Sequence, residues 1–329
     1  MKLTKGEPLH HYRYDDENLN FIERLVTRKK RRAEGFYQRM FNEDFSRVFR
    51  SASKKESLFN ISSNDDELTK RLLAGLRSQH RYQSTDENIR TWIDDIARSL
   101  LWSQTVCYFV HDNQEENESR IVPLNSDDVF NVLGINFQLV PKRLERPWES
   151  DEELLPTEVR ILETNKLIRF NICNSIGSIL SRQNRTLELL DKYRDNNLQF
   201  YPQATYDDPN PRNYFDFNRW SKTQHKALHI ATRETGWNAR NLGESERSVY
   251  FDYYRMLRFR RNQLVFRDDI LQQIGRELTR IGRQYNKMFT ITISLTSVLP
   301  KVEELNDLEE LFSKEKVSFK EITDYCFER

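Results

Sequence analysis

The chain has 329 residues, of which 37% are hydrophobic, 31% charged and 12% aromatic, enough for one large domain or two ordinary ones and against disorder along the whole length. It contains only 9 glycines, and neither G-x-G-x-x-G nor G-x-x-x-x-G-K-[ST] occurs, which excludes nucleotide binding through those two loops. With 52 Lys+Arg against 51 Asp+Glu the net charge is +1, which argues against coating nucleic acid or membrane through overall charge and leaves local patches open.

Cys107, Cys173 and Cys326 lie far apart, with no C-x-x-C, and are expected as free thiols of a reducing compartment. Residues 1–11 are polar, and no stretch of 18 apolar residues occurs. The expectation is a soluble, cytoplasmic chain with no membrane partner.

Asp15 and Asp16 cap a predicted helix whose Leu19, Ile22, Leu25 and Val26 recur at helical spacing. The basic collar Arg28-Lys29-Lys30-Arg31-Arg32 interrupts this stripe, which resumes at Phe36, Met40, Phe45 and Phe49. Residues 51–66, rich in Ser, Asn and Lys, read as a connecting loop. Ser84-Thr85-Asp86-Glu87 has the form of a capping box, and Ile89, Trp92, Ile93, Ile96 and Leu100 line one face of the helix that it opens.

The β-branched and aromatic run 104–111 and the segment Ser119-Arg120-Ile121-Val122 predict a hairpin with a solvated acidic loop over 112–118. Further strands are predicted at 137–140, 159–162 and 166–172, with irregular links at Arg146-Pro147-Trp148 and Leu155-Pro156. From Ile176 the period turns helical, to an end near Asn196. Pro202, Pro209 and Pro211 then make 201–213 a Pro-rich loop.

A helix is predicted from about 217 to 235, stopping at Gly236. The longest helical pattern runs from 248 to about 287, which would approach about 60 Å if unbroken; a break near Asn262 would make it two helices. A strand over 289–295, Leu299-Pro300, an acidic helix over 303–312 and a short helix after Ser318 close the chain. The expected fold is α+β, predominantly helical. Its parts are an N-terminal helical region at 1–84, an α+β region at 85–173, a helical region at 174–288 and a C-terminal strand with acidic helices at 289–329.

On the longest helix Ile270, Ile274, Leu278, Ile281, Tyr285 and Met288 form an apolar stripe, and Arg276, Arg280, Arg283 and Lys287 follow the same rhythm roughly opposite it. Such a row suits phosphate contacts with a polyanion; it equally suits a solvated face paired with Asp268, Asp269 or Glu277. Upstream, Arg255, Arg258, Arg260, Arg261 and Arg267 interleave with Tyr253, Tyr254, Phe259 and Phe266, a composition suited to an interface or to packing against acidic neighbours. The segment 245–287 carries ten Lys+Arg and five Asp+Glu, whereas 301–329 carries five and nine. That asymmetry favours head-to-tail contact between identical chains, or folding of one segment onto the other.

His225 and His229 are four apart on a predicted helix, a spacing zinc can use, with Glu234 as a third candidate; H-E-x-x-H is absent. The doublets Asp94-Asp95, Asp127-Asp128, Glu152-Glu153 and Asp207-Asp208 point apart on a helix and make no acid/base couple by themselves. No nucleophile motif occurs. No catalytic set and no cofactor is expected.

Three stretches, in chain order, resemble the portal proteins of tailed bacteriophages. Residues 86–110, D-E-N-I-R-T-W-I-D-D-I-A-R-S-L-L-W-S-Q-T-V-C-Y-F-V, are similar to the helix-to-strand entry of a portal wing, with Ser103-Gln104 where portals often carry Gly. Residues 175–287, helix-rich and broken by the proline loop, are similar to the paired stem helices with a loop-rich clip. The end of the chain is similar to the strand, Leu-Pro, acidic helix and Ile-Ser segment of many portals. It runs through Phe289-Thr290-Ile291-Thr292-Ile293-Ser294-Leu295, Leu299-Pro300, Leu305, Leu308 and Leu311 to Val317-Ser318-Phe319-Lys320-Glu321-Ile322, with Lys314-Glu315-Lys316 where a Gly is expected.

The resemblance implies a homo-oligomeric ring, usually of twelve subunits, at one capsid vertex of a virion assembled in the host cytoplasm. Through it a terminase motor drives double-stranded DNA, with capsid and connector proteins as further partners. It implies no catalytic residue and no enzyme. The other readings are a helical adaptor that binds an acidic partner through 255–267, and a metal-dependent hydrolase using His225 and His229.

Overall fold

A computed structural model describes residues 2–10, 21, 35–49, 57–76, 84–113, 118–143, 155–192, 217–240 and 248–328. The helix predicted after Asp15, the basic collar 28–32, the links at 146–148 and the Pro-rich loop 201–213 lie outside the described residues. In chain order the elements are β1 (Lys2–Lys5), α1 (Phe36–Phe45), β2 (Phe59–Ser63), α2 (Asp66–Ala74), α3 (Thr85–Ser103), β3 (Thr105–Asn113), β4 (Glu118–Pro123), β5 (Val129–Val132), β6 (Ile135–Val140), β7 (Glu158–Leu162), β8 (Leu167–Asn171), α4 (Asn174–Lys192), α5 (Phe217–Ala231), α6 (Val249–Gly282), β9 (Ile291–Leu295), α7 (Val302–Ser313) and α8 (Phe319–Glu328). The fold is α+β and mostly helical. It divides into two compact units, Met1–Arg32 with Ser53–Ile172 and Arg267–Leu299, and Ala33–Ala52 with Cys173–Phe266 and Pro300–Arg329.

In the first unit α3 starts as its sequence dictates. The Ser84 hydroxyl accepts from the Glu87 amide, and the Glu87 carboxylate accepts from the Ser84 amide, both at 3.2 Å. Ile89, Trp92, Ile93, Ile96 and Leu100 are all buried. The helix ends on Gln104, whose backbone is left-handed at φ 60, and the chain turns at once into β3.

The predicted hairpin is β3 and β4, with Phe109 opposite Val122, and β8 flanks β3 on its other side. A separate four-stranded sheet has the order β1-β7-β6-β5, in which β1 runs parallel to β7 and the other pairs are antiparallel. Cys107, Phe109, Leu124, Val129, Leu162 and Leu167 form one core of this unit.

Part of the loop expected over 51–66 is instead β2, paired antiparallel with β9 from Phe59 opposite Leu295 to Ser63 opposite Ile291. Its Asn and Ser residues read as loop composition, and the partner that makes it a strand lies near the other end of the chain.

In the second unit, α1 buries Phe41 and Phe45, which stack at 5.2 Å between ring centroids. Phe41 meets the Trp237 ring at 5.4 Å and Phe45 meets Phe266 at 5.7 Å. α5 ends as expected before Gly236, whose φ of 80 is a conformation glycine takes without strain. The acidic C-terminal segment folds back through apolar and aromatic contact: Leu257 and Leu264 of α6 share a core with Leu305, Phe312, Ile322, Tyr325 and Cys326. The Tyr250 ring stacks on Phe312 at 4.1 Å, and its hydroxyl donates to the Phe312 carbonyl.

α6 is one helix of 34 residues, about 51 Å long. The break considered near Asn262 is absent, and the Asn262 amide donates to the carbonyls of Glu234 and Thr235 at 3.1 and 3.3 Å. The helix stops at Gly282, short of 287, where the buried Phe289 ring occupies the space that a Cβ at 282 would need.

Candidate contact surface on the long helix

The arginines of α6 divide into interior and exposed sets. Within the second unit, Arg255 and Arg260 are only 4% and 2% exposed. The Arg255 guanidinium donates to the carbonyls of His229, Thr232 and Trp237 at 3.3, 3.2 and 2.5 Å, and to the side-chain oxygens of Thr232 and Asn238 at 2.5 Å. These carbonyls close the C-terminal end of α5, where oxygens left without intrahelical donors and the negative end of the dipole favour a cation. Arg258 donates to the Arg233 carbonyl of the same turn at 3.0 Å.

Arg260 serves the end of α1 in a similar way, donating to the Val48 carbonyl at 3.0 Å. Gln263 completes that cap, its amide donating to the carbonyls of Asp44, Phe45 and Arg47 at 2.9, 3.3 and 3.1 Å. Of the upstream arginines, whose pattern suited an interface or packing within the chain, Arg255 and Arg260 thus act inside the chain as C-terminal caps for two helices. Gln263 and Asn262 share this work, and sequence reasoning missed both because neutral amides on a charged helix carry no local signal. The exposed members of the upstream set are Arg258 and Arg261.

In the first unit Arg267 is buried and pairs with Asp268 at 2.7 Å. Ile270, Ile274, Leu278 and Ile281 are buried as predicted. Tyr285 and Met288 are not, at 40% and 77% exposed, because the helix has ended before them. Tyr285 instead donates to Asp112 at 2.5 Å, with the Arg71 guanidinium 5.0 Å over its ring. Partial burial and the neighbouring Asp112 carboxylate push its phenol up.

The basic row is uneven. Arg280 pairs with Glu277 at 2.7 Å and donates to the Thr164, Asn165 and Leu167 carbonyls at 3.3, 3.4 and 2.5 Å, so it fastens α6 to the start of β8 and the turn before it. Arg276, Arg283 and Lys287 are exposed, and Arg283 also donates to the Phe289 carbonyl at 3.3 Å. Arg276, Arg283 and Lys287 therefore carry most of the cationic surface that α6 and its C-terminal turn show to solvent in this unit.

The histidine pair predicted for zinc sits on α5, but the structure does not gather a ligand set there. His229 Nδ1 lies 2.6 Å from the His225 carbonyl, and the Glu234 carboxylate pairs with Arg182 at 2.8 Å. Among the described residues no group of three or more His, Cys, Asp or Glu side chains is placed to hold a metal ion. Of the acidic doublets, Asp94-Asp95 is perturbed: burial, opposed by Arg90, pushes the Asp94 carboxyl up to about 7. The charges that act on it, Arg90, Asp95 and Arg98, all belong to its own helix. Among the described residues no helix is long and apolar enough to cross a membrane.

No known family profile matches this sequence, and no curated protein matches it. Solved structures similar to the chain include an HK97-family phage portal protein from Corynebacterium diphtheriae, at 8% identity and a TM-score of 0.38, covering 88% of this chain and 97% of that one. A chain from the virion of a native gene transfer agent particle aligns at 10% identity and a TM-score of 0.42 over 88% of each chain. Another, from the neck of a native gene transfer agent particle computed with C12 symmetry, aligns at 10% identity and 0.41 over 92% of this chain and 98% of that one.

Proposed function

We propose that this chain is a portal-like structural protein that assembles into a homo-oligomeric ring and acts as a conduit for double-stranded DNA at a capsid vertex. The observation that carries the reading is a backbone one. The portal pattern expects glycine at two places in this sequence, before the wing strand and after the acidic helix. At both, the chain adopts the left-handed conformation that glycine favours, with Gln104 at φ 60 and Glu315 at φ 57. The backbone thus has the form of the pattern at two separated points where the side chains depart from it.

Two further features support it. The strand, Leu-Pro and acidic-helix order at the chain's end is built from β9, Leu299-Pro300 and α7. Arg276, Arg283 and Lys287 supply cations suited to sequence-independent phosphate contact, while α6 supplies rigidity. The virion is the corresponding location, and the capsid, a terminase motor and connector proteins are the corresponding partners. No catalytic role is assigned to any residue.

Native mass spectrometry of the purified chain, with negative-stain imaging, tests assembly. Rings of about twelve subunits are expected; a monomer at micromolar concentration across several buffers overturns the proposal. The Arg276→Glu/Arg283→Glu variant is expected to lower retention of double-stranded DNA and flatten its dependence on salt. Unchanged retention removes the DNA role from this face.

A further inference from the structure

Two helix faces of the second unit each carry charge of one sign. α5 buries Gln224 and Leu228 and has three Lys or Arg residues but no Asp or Glu. Lys226 and Ile230 of α5 and Arg233 of the turn that ends it are exposed, at spacings of four and three that keep them on one side. Arg258 of α6 donates to the Arg233 carbonyl at 3.0 Å, and Arg182 of α4 pairs with the neighbouring Glu234 at 2.8 Å. Four exposed cations from three helices thus gather around this row, and the acid beside them is already taken up.

α7 has five acidic residues and no basic one. Its buried Leu305 and Phe312 share a core with Leu257 and Leu264 of α6, which puts Glu303, Asp307 and Glu310 on the opposite side of the helix. These three are exposed, again at spacings of four and three, and Leu311 is exposed beside them, four residues after Asp307. Glu310 pairs with Lys314, one turn on. Among the described residues no ion pair joins this row to the one on α5. The C-terminal segment thus folds onto α6 through apolar contact and leaves its acidic face turned to solvent.

We infer that the α5 row is a docking surface for the acidic α7 row of a second copy of this chain. The inference rests on the portal-like reading, which supplies the ring. A ring closed by head-to-tail contact needs two different and mutually complementary patches on every subunit. The two rows meet that requirement: each runs over seven residues, about 10 Å along a helix, so their charges come into register. Ile230 and Leu311 give each row an exposed apolar residue for the ion pairs to surround.

A polyanion such as DNA would engage the α5 row but be repelled by α7, whereas a second copy satisfies both rows at once. Exposed ion pairs contribute little singly. Their main effect here is on orientation, because like rows repel and head-to-head contact is disfavoured. Salt screens both effects, shortening the Debye length from about 10 Å at about 0.1 M to about 3 Å at about 1 M, so the contact weakens over that range.

Charge-reversed variants of the full chain test the contact by analytical ultracentrifugation. Lys226→Glu/Arg233→Glu presents two acidic rows, and Glu303→Lys/Asp307→Lys two basic ones. Each alone is expected to assemble at least about tenfold more weakly than the parent at low salt. An equimolar mixture is expected to form rings in which the two variants alternate. All four side chains are exposed, and circular dichroism checks that each variant folds. Carbodiimide coupling of the parent needs no variant: it condenses a touching ammonium and carboxylate with loss of water, and is expected to link Lys226 to α7 in covalent multimers. Parent-like assembly of either variant alone, a mixture that stays unassembled, or multimers without the Lys226–α7 link overturns the contact and leaves the portal-like reading in place. A parent chain that stays monomeric removes both. Variants that assemble like the parent but retain less double-stranded DNA overturn the contact and assign the α5 row to phosphate.

Discussion

Replacing Arg255 by Met tests whether the interior arginines of α6 act as helix caps. The Met side chain fills much of the same volume but leaves the carbonyls of His229, Thr232 and Trp237 without this donor, in a place where Thr232 is fully buried and Trp237 nearly so. Removing one partner of a buried charged hydrogen-bond set costs about 3–5 kcal/mol, because the groups left behind keep their desolvation penalty. Arg261→Met, on an exposed position of the same helix, is expected to stay within about 0.5 kcal/mol of the parent. Urea unfolding followed by tryptophan fluorescence measures both, with Trp237 reporting directly on the cap. Arg255→Lys keeps the charge but not the fork and is expected to fall between the two. Equal stabilities of the Arg255→Met and Arg261→Met proteins would refute the capping role and return Arg255 to the contact surface.

Three other substitutions test separate parts of the structure. Asp94 has a folded-state value raised from 3.8 to about 7, so the folded state holds this proton over a range where the unfolded chain has lost it. The stability it contributes is full below about pH 4 and declines until about pH 7, by at most ~4 kcal/mol at ~1.4 kcal/mol for each pH unit. Asp94→Asn is expected to be more stable than the parent at pH 8 and near it at pH 4; thermal melts whose difference does not change with pH reject the burial argument. Gln104→Gly and Glu315→Gly should each raise stability by about 1 kcal/mol in denaturant titrations, since both exposed side chains sit on left-handed backbone. A loss at either position would contradict the backbone conformation on which the portal reading leans.

What the sequence alone determined was local. The capping box at Ser84 and Glu87, the apolar face from Ile89 to Leu100, the hairpin strands, the stop at Gly236 and the buried run from Ile270 to Ile281 each rest on neighbours within a few residues, where spacing maps directly onto geometry. The portal resemblance is legible for the same reason, since it follows the order of such elements.

Tertiary structure decided which faces are covered and by what. Helical periodicity shows that Arg255 and Arg261 point in different directions, but only the carbonyl ends of α5 and α1 make Arg255 and Arg260 interior while Arg261 remains exposed. The pairing of β2 with β9, and of His10 with His111, joins residues far apart in the chain through contacts that no local pattern encodes. A hydrogen-bond acceptor or a second imidazole supplied from elsewhere in the fold changes what a side chain does without changing the sequence around it.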